Sequence, residues 1–303
     1  MIRRIAGSTV RPLLELAPSN ADTVRVAREV LAGAMRMLGP PLSGTTVTPV
    51  DDHGARGEWV YARRLGALDA VILYVHGGGY VACSPRTHRG ITSRLSAATG
   101  MKVFAVGYRL APEHPFPAAV HDVAAAYRWL LGQGFTPDRI VLAGDSAGGQ
   151  LAADLVLANA RAATPQPAAL VLFSPMVDLT LTIAARHERT RRDPLISVPK
   201  VRSLVEMYTG GSAHPRLELR PEQGMVLPRM LIQVGDAEFV AADAVELARR
   251  WHAVGAESEL QMWPDQLHVF HALPVLAPEA SSAYRAAARF ISASLESDTA
   301  HAV

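Results

Sequence analysis

From about residue 68 the chain alternates short apolar runs with helix-length stretches, and few folds accept that pattern. Val71–Val75, Val103–Val106, Ile140–Ala143, Leu170–Phe173 and Leu231–Val234 contain no charged side chain. A strand with one face in water alternates apolar and polar residues, whereas a strand covered on both faces does not. Ala118–Leu131, Ser146–Ala163 and Asp243–Val254, lying between such runs, are long enough for helices. Strand, helix, strand, repeated in that order, predicts a mostly parallel sheet flanked by helices on both faces, an α/β fold.

Two stretches stand outside this rhythm. Residues 19–38 predict an amphipathic helix: Ser19, Asn20 and Asp22 offer caps, Val26, Val30, Ala34 and Leu38 recur at helical spacing, and Gly39-Pro40-Pro41 ends it. Residues 179–225 are rich in arginine, proline and polar residues, with one helix expected at Val198–Thr209. We expect residues 1–45 and 179–225 to form a cap over the C-terminal edge of the sheet. Residues 46–178 and 226–303 then form the catalytic core.

Bulk properties narrow the class. A formal net charge of +2 over 303 residues gives no reason to expect nucleic acid as a partner. Cys83 is the only cysteine, so no intrachain disulfide can form. Apolar runs stay well short of the 18 or so residues that would suggest a membrane-spanning helix, and the twin arginine Arg3-Arg4 is not followed by the apolar run of a signal peptide. The expectation is a cytoplasmic protein.

Chemistry concentrates in two glycine motifs. Gly144-Asp145-Ser146-Ala147-Gly148 matches G-x-S-x-G, follows the expected strand Ile140–Ala143 and opens an expected helix. A nucleophile on so tight a strand-to-helix turn needs small residues two before and two after it. The helix N-terminus also aims free N–H groups and partial positive charge at the reacting atoms. His76-Gly77-Gly78-Gly79-Tyr80 ends the strand Val71–Val75. Its glycines let backbone N–H groups turn toward an oxyanion. By position, the N–H groups of Gly78, Gly79 and Ala147 are the expected donors. A phosphate loop would need Gly-Lys followed by Ser or Thr, and a dinucleotide fingerprint would need G-x-G-x-x-G, and neither is present here.

A serine nucleophile needs a base and an acid, which follow it in chain order in G-x-S-x-G hydrolases. The histidines after Ser146 are His187, His214, His252, His268, His271 and His301. His187 and His214 fall in the insertion, His252 in a helix and His301 in the tail. His268 follows Leu260–Pro264, expected as the last strand, so it sits in a strand-end loop where open α/β sheets place their sites. His271 is its local rival. Three carboxylates follow the strand Leu231–Val234: Asp236, Glu238 and Asp243.

His76–Tyr80, the run Tyr108–Ala119 and Gly144–Gly149 together resemble the hormone-sensitive-lipase-like (bacterial family IV) carboxylesterases, from roughly residue 60 to the C-terminus. The resemblance implies an α/β-hydrolase fold with a helical cap, no metal or other cofactor, a small-molecule ester substrate of short to medium acyl chain, and a possible homodimer. It implies catalytic Ser146, Glu238 and His268, with the His-x-Phe pattern met by His268-Val269-Phe270. It also implies oxyanion donors Gly78, Gly79 and Ala147, and cis peptides before Pro112 and Pro117. Arg109 and Glu113 are expected as an ion pair beneath the site, and Cys83 and His114 as structural residues. Two other readings use the same residues. One is an amidase or deacetylase. The other is a non-catalytic binding protein like the plant gibberellin receptor, which lacks the catalytic histidine that His268 supplies here.

Overall fold

The computed structural model describes residue 11 and residues 21–62, 65–66 and 69–300. Ser19, Asn20, the Arg3-Arg4 pair and His301 lie outside the described residues. In chain order the elements are α1 (Ala21–Leu38), β1 (Thr46–Asp52), β2 (Ala55–Tyr61), β3 (Val71–Val75), α2 (Arg89–Thr99), β4 (Lys102–Val106), α3 (Ala118–Gly132), β5 (Ile140–Asp145), α4 (Ser146–Arg161) and β6 (Ala169–Phe173). They continue with α5 (Thr182–Glu188), α6 (Val198–Thr209), β7 (Arg229–Gly235), α7 (Ala241–Ala253), β8 (Ser258–Trp263) and α8 (Ala280–Ala300).

The eight strands form one sheet in the order β1-β2-β4-β3-β5-β6-β7-β8. β3 to β8 run parallel to their neighbours, and β2 pairs antiparallel with both β1 and β4. The five apolar runs read from the sequence are β3 to β7 and occupy the middle, where both faces are covered. β3 shows how: Val71, Leu73 and Val75 face the core with residues of α3, α4 and α7, while Ile72 and Tyr74 face the core with α2 and α8. This is the α/β-hydrolase architecture the resemblance implies. Among the described residues no helix is long and apolar enough to cross a membrane.

Four elements escape sequence reading, each for a physical reason. β1 and β2 form an edge hairpin, with polar alternation and Pro49 in place of an apolar run. Its turn, His53-Gly54, puts both residues at positive φ (45° and 83°), as a two-residue hairpin loop requires. α2 buries Thr92, Ser93 and Ser96 beside Ile91 and Leu95, so its inward face is written largely in hydroxyls. Thr92 Oγ1 donates to the His88 carbonyl (3.2 Å) and Ser96 Oγ to the Met101 carbonyl (2.7 Å), which makes their burial tolerable. α5 spans seven residues, too few to show a period.

Two expectations need correction. α1 forms, but Val26 and Val30 are 65% and 67% exposed, and the helix instead buries Val24 and Met35. It docks through Arg28, whose guanidinium donates to the Val81 and Ala111 carbonyls (2.7 and 2.9 Å) and to both Glu113 oxygens (2.8 and 2.7 Å). Glu113 therefore pairs with Arg28, not with Arg109. Arg109 instead forks onto Asp122 of α3 at 2.8–3.1 Å. The Ala111–Pro112 and Phe116–Pro117 bonds between them are both cis, as the resemblance implies, and His114 is exposed.

Residues 179–225 carry α5 and α6. Val198, Val201, Val205 and Tyr208 of α6 join the core cluster that includes Tyr80 of the His76–Tyr80 loop. Arg216 forks onto the buried Asp154 of α4 (3.0 and 2.6 Å), Arg250 of α7 reaches Glu218 (2.8 Å), and Arg11 pairs with Glu188 (2.6 Å) and donates to the Asp193 carbonyl.

Candidate active site

The serine turn is built by steric exclusion. Val75 of β3 pairs with Gly144 of β5, and the chain then reverses through Ser146 into α4. A Cβ on Gly144 would lie 2.6 Å from the Gly148 carbonyl oxygen, and one on Gly148 would penetrate the carbonyls of Val75 and His76. Neither position can carry a side chain without moving backbone. Ser146 itself has φ +50°, a strained value for a non-glycine residue. That conformation points Oγ off the end of the sheet, and the residue is nearly buried.

Three chain segments converge there. Ser146 Oγ lies 2.9 Å from His268 Nε2, and His268 Nδ1 lies 2.6 Å from Glu238 Oε2. Glu238 follows β7 and is wholly buried, and His268 stands in the loop after β8. Burial pushes the Glu238 carboxyl above its ordinary value, while bonds from His268, the Gly235 N–H and the Ser174 hydroxyl work against that. Burial disfavours the His268 imidazolium, but the Glu238 bond and charge outweigh it and raise the ring above the free imidazole value.

Beside the serine, Gly78 and Gly79 sit at φ +114° and +61°, open to glycine alone at low cost. Among the described residues neither N–H donates to a protein acceptor. Ala147, fully buried, lies in the first turn of α4, where N–H groups have no intrahelical acceptor. Nucleophile, imidazole, carboxylate and three candidate donors thus meet at one end of the sheet.

Comparison with known proteins agrees. A family model described as the α/β-hydrolase fold matches residues 72–272. An acetyl-hydrolase of Streptomyces hygroscopicus is 39% identical over 289 residues, covering 93% of this chain and 94% of that protein. The esterase LipU of Mycobacterium tuberculosis is 32% identical, covering 86% and 91%. The crystal structure of an esterase from the bacterial hormone-sensitive lipase family superposes with a TM-score of 0.85 at 34% identity, over 97% of this chain and 98% of that one. This chain belongs to the hormone-sensitive-lipase-like esterases. It is a carboxylic-ester hydrolase.

The rival residues of this esterase lie elsewhere. Asp236 accepts from Arg191 (2.7 Å) and from the Asp265 N–H (3.0 Å). Asp243, in the first turn of α7, is buried facing Asp178, and one of its oxygens has no partner among the described residues. His271 is turned into the other face of the sheet, stacked on Phe173 (4.2 Å) with Nε2 against Gln233 Oε1 (3.0 Å). Burial lowers its pKa to about 3, so it stays neutral. His214 packs on Phe116 (5.0 Å), and His252 Nε2 sits near Ser258 Oγ (3.2 Å). His187 is lowered by burial and the nearby Arg191. Cys83 packs against Gly78, and burial pushes its thiol up to about 12, which makes it inert.

Sequence reading passed over the support beneath the His76–Tyr80 loop. Asp145 precedes the serine, yet its carboxylate does not cap α4. Oδ1 accepts from the Tyr74 hydroxyl (2.6 Å) and the Gly77 N–H (3.0 Å), and Oδ2 faces His88 Nε2 (3.4 Å). Burial alone would raise Asp145, but His88 and Tyr74 hold it below its ordinary value. His76 stacks on Tyr108 (4.2 Å), whose hydroxyl donates to the His76 carbonyl (2.8 Å). The available signal was Asp145 itself, a carboxylate where a buried turn has no evident need of one.

Proposed function

We propose that this esterase hydrolyses short- to medium-chain carboxylic esters through an acyl-enzyme on Ser146. The observation that carries the reading is the continuous path from Ser146 Oγ through His268 to Glu238, at 2.9 and 2.6 Å. His268 Nε2 takes the serine proton as Oγ attacks the ester carbonyl. Glu238 Oε2 accepts from Nδ1–H, which fixes the tautomer and offsets the positive charge the ring gains. The tetrahedral oxyanion is held by the N–H groups of Gly78, Gly79 and Ala147. His268 then returns the proton to the leaving alcohol, and water, activated by the same nitrogen, releases the acid.

Residues 1–45 and 179–225 act as the cap in this reading. Leu204 of α6 supports that role, because a Cβ on Gly79 would meet its Cδ1 at 2.8 Å. A roof in contact with the oxyanion loop leaves little height above the reacting carbonyl, which favours short acyl groups. The names acetyl-hydrolase and ethyl acetate hydrolase, borne by two relatives, point the same way.

The test is a p-nitrophenyl ester series from acetate to palmitate, with a fluorophosphonate label located by mass spectrometry. Labelling at Ser146 and a maximum at short to medium chains are expected. A label elsewhere, or strong activation by emulsified long-chain triglyceride, would remove the reading. Anilide substrates in the same assay separate an esterase from an amidase.

A further inference from the structure

Ser174 stands directly after β6, fully buried, at φ +48°. The left-handed region strains a residue with a side chain. Its own N–H continues the sheet, donating to the Gln233 carbonyl of β7 at 2.7 Å. The side chain is thereby turned into the space between two loops. Ser174 Oγ donates to Glu238 Oε1 (2.8 Å) and accepts from the Val269 N–H (3.1 Å). One oxygen thus ties the carboxylate to the peptide directly after His268.

Both bonds act where the site is least able to hold itself. Glu238 Oε1 also accepts from the Gly235 N–H at 2.5 Å, so that oxygen is committed to the framework and Oε2 is left for His268. Val269 has φ +49°, a clear outlier for a β-branched residue, and such strain persists only where neighbours over-determine it. The bond from Ser174 is the constraint on the Val269 peptide that comes from another strand. We infer that Ser174 is a positioning residue of the ester hydrolysis, setting the geometry of Glu238 and His268 together through its single hydroxyl.

This rests on the reading of Ser146, His268 and Glu238 as the catalytic set, so the test is a double-mutant cycle. Ser174→Ala, Glu238→Gln and the double variant are compared in kcat, KM and the pH profile of kcat/KM. Fluorophosphonate titration counts the competent sites in each preparation. Ser174→Ala should lower kcat by about 10- to 100-fold with KM nearly unchanged, as for other groups that orient a reacting side chain. Its acid limb, set by His268, should move to higher pH, because an ionised Glu238 relieved of one donor is a stronger acceptor for the ring's Nδ1–H. In the Glu238→Gln background the same change should cost several-fold less. Ser174→Thr, which keeps the hydroxyl, should restore part of the rate. Ser174→Gly, which accepts the positive φ but lacks the hydroxyl, should not, and it carries the cycle if the alanine variant does not fold. Equal loss in both backgrounds, or an unmoved acid limb, would overturn the inference. Wild-type activity in Glu238→Gln would instead overturn the catalytic reading on which it stands.

Discussion

At the ends of β3, β5, β6 and β7 the site rests on backbone with no freedom to shift: carbonyls fill the space beside Gly144 and Gly148, and Asp145 pins the Gly77 N–H from below. In the proposed roof, α1 and residues 179–225 are fastened by arginines, with Arg28 on Glu113, Arg216 on Asp154, Arg250 on Glu218 and Arg11 on Glu188. The floor tolerates almost no substitution because close packing leaves nowhere to relax. The roof shares an apolar seam through α6 with the core, and adds to it discrete polar points that can be altered without repacking that seam. On the proposed reading, chemistry sits on the floor and substrate choice is left to the roof.

The sharpest way to break this contrast is at the floor. Ser146→Ala should lower kcat by about a million-fold, leaving only binding and oxyanion catalysis. A variant keeping a tenth of the rate would mean the nucleophile lies elsewhere. Glu238→Gln should cost on the order of 10⁴ in kcat. In the wild type, kcat/KM should fall as pH drops through a His268 pKa above about 6.5, since only the neutral ring is a base. In the Glu238→Gln variant the acid limb should move down, because the charge that raises the ring is gone. Asp236→Asn, whose side chain faces Arg191, should leave kcat within a few-fold of wild type, and a large loss there would place the acid wrongly.

The roof should answer in stability first. Arg216→Met strands the buried Asp154 carboxylate and should cost about 3–5 kcal/mol, read by denaturant unfolding at neutral pH. Burial already lifts Asp154 above its ordinary value, so the deficit should shrink in acid, where the stranded group takes a proton. Unchanged stability would show that this latch holds nothing.

Asp243 gives a smaller, graded effect between floor and roof. Burial, helped by the Asp178 charge, lifts it to about 8. The folded state then binds a proton the unfolded state has released. This group's contribution is fully favourable below its unfolded pKa of about 4. It declines as pH rises and is lost above about 8. Asp243→Asn should therefore gain in Tm over wild type as pH climbs from 5 to about 8, and a constant difference across that range would refute the assignment. Least of all, Glu113→Gln should change stability by no more than about 1 kcal/mol, and less in high salt, because its pair with Arg28 is partly open to water. A larger, salt-insensitive loss would mean that α1 is held as rigidly as the floor.

By itself the sequence determined the central sheet, because five uncharged apolar runs have few places to go but strands covered on both faces. It determined the serine turn too, since G-x-S-x-G between an apolar run and a helix is a local pattern, although the carbonyls that exclude a side chain at Gly148 come from Val75 and His76, far back in the chain. Resemblance, not residue chemistry, singled out Glu238 from three nearby carboxylates. Only the tertiary structure decided which of them meets His268. Asp236, Glu238 and Asp243 are equivalent until β7, β8 and β6 bring their loops together, and a difference of two or five residues then sends each carboxylate to a different partner. The same holds for His268 and His271, three residues apart and turned to opposite faces of the sheet. It holds for α2, whose buried hydroxyls look exposed until their carbonyl partners are in place. It holds equally for Arg28, expected in no role and found bridging four acceptors. Local sterics and burial patterns are written in neighbouring residues and can be read there. A polar side chain's partner lies far along the chain, and its identity exists only once the fold has closed.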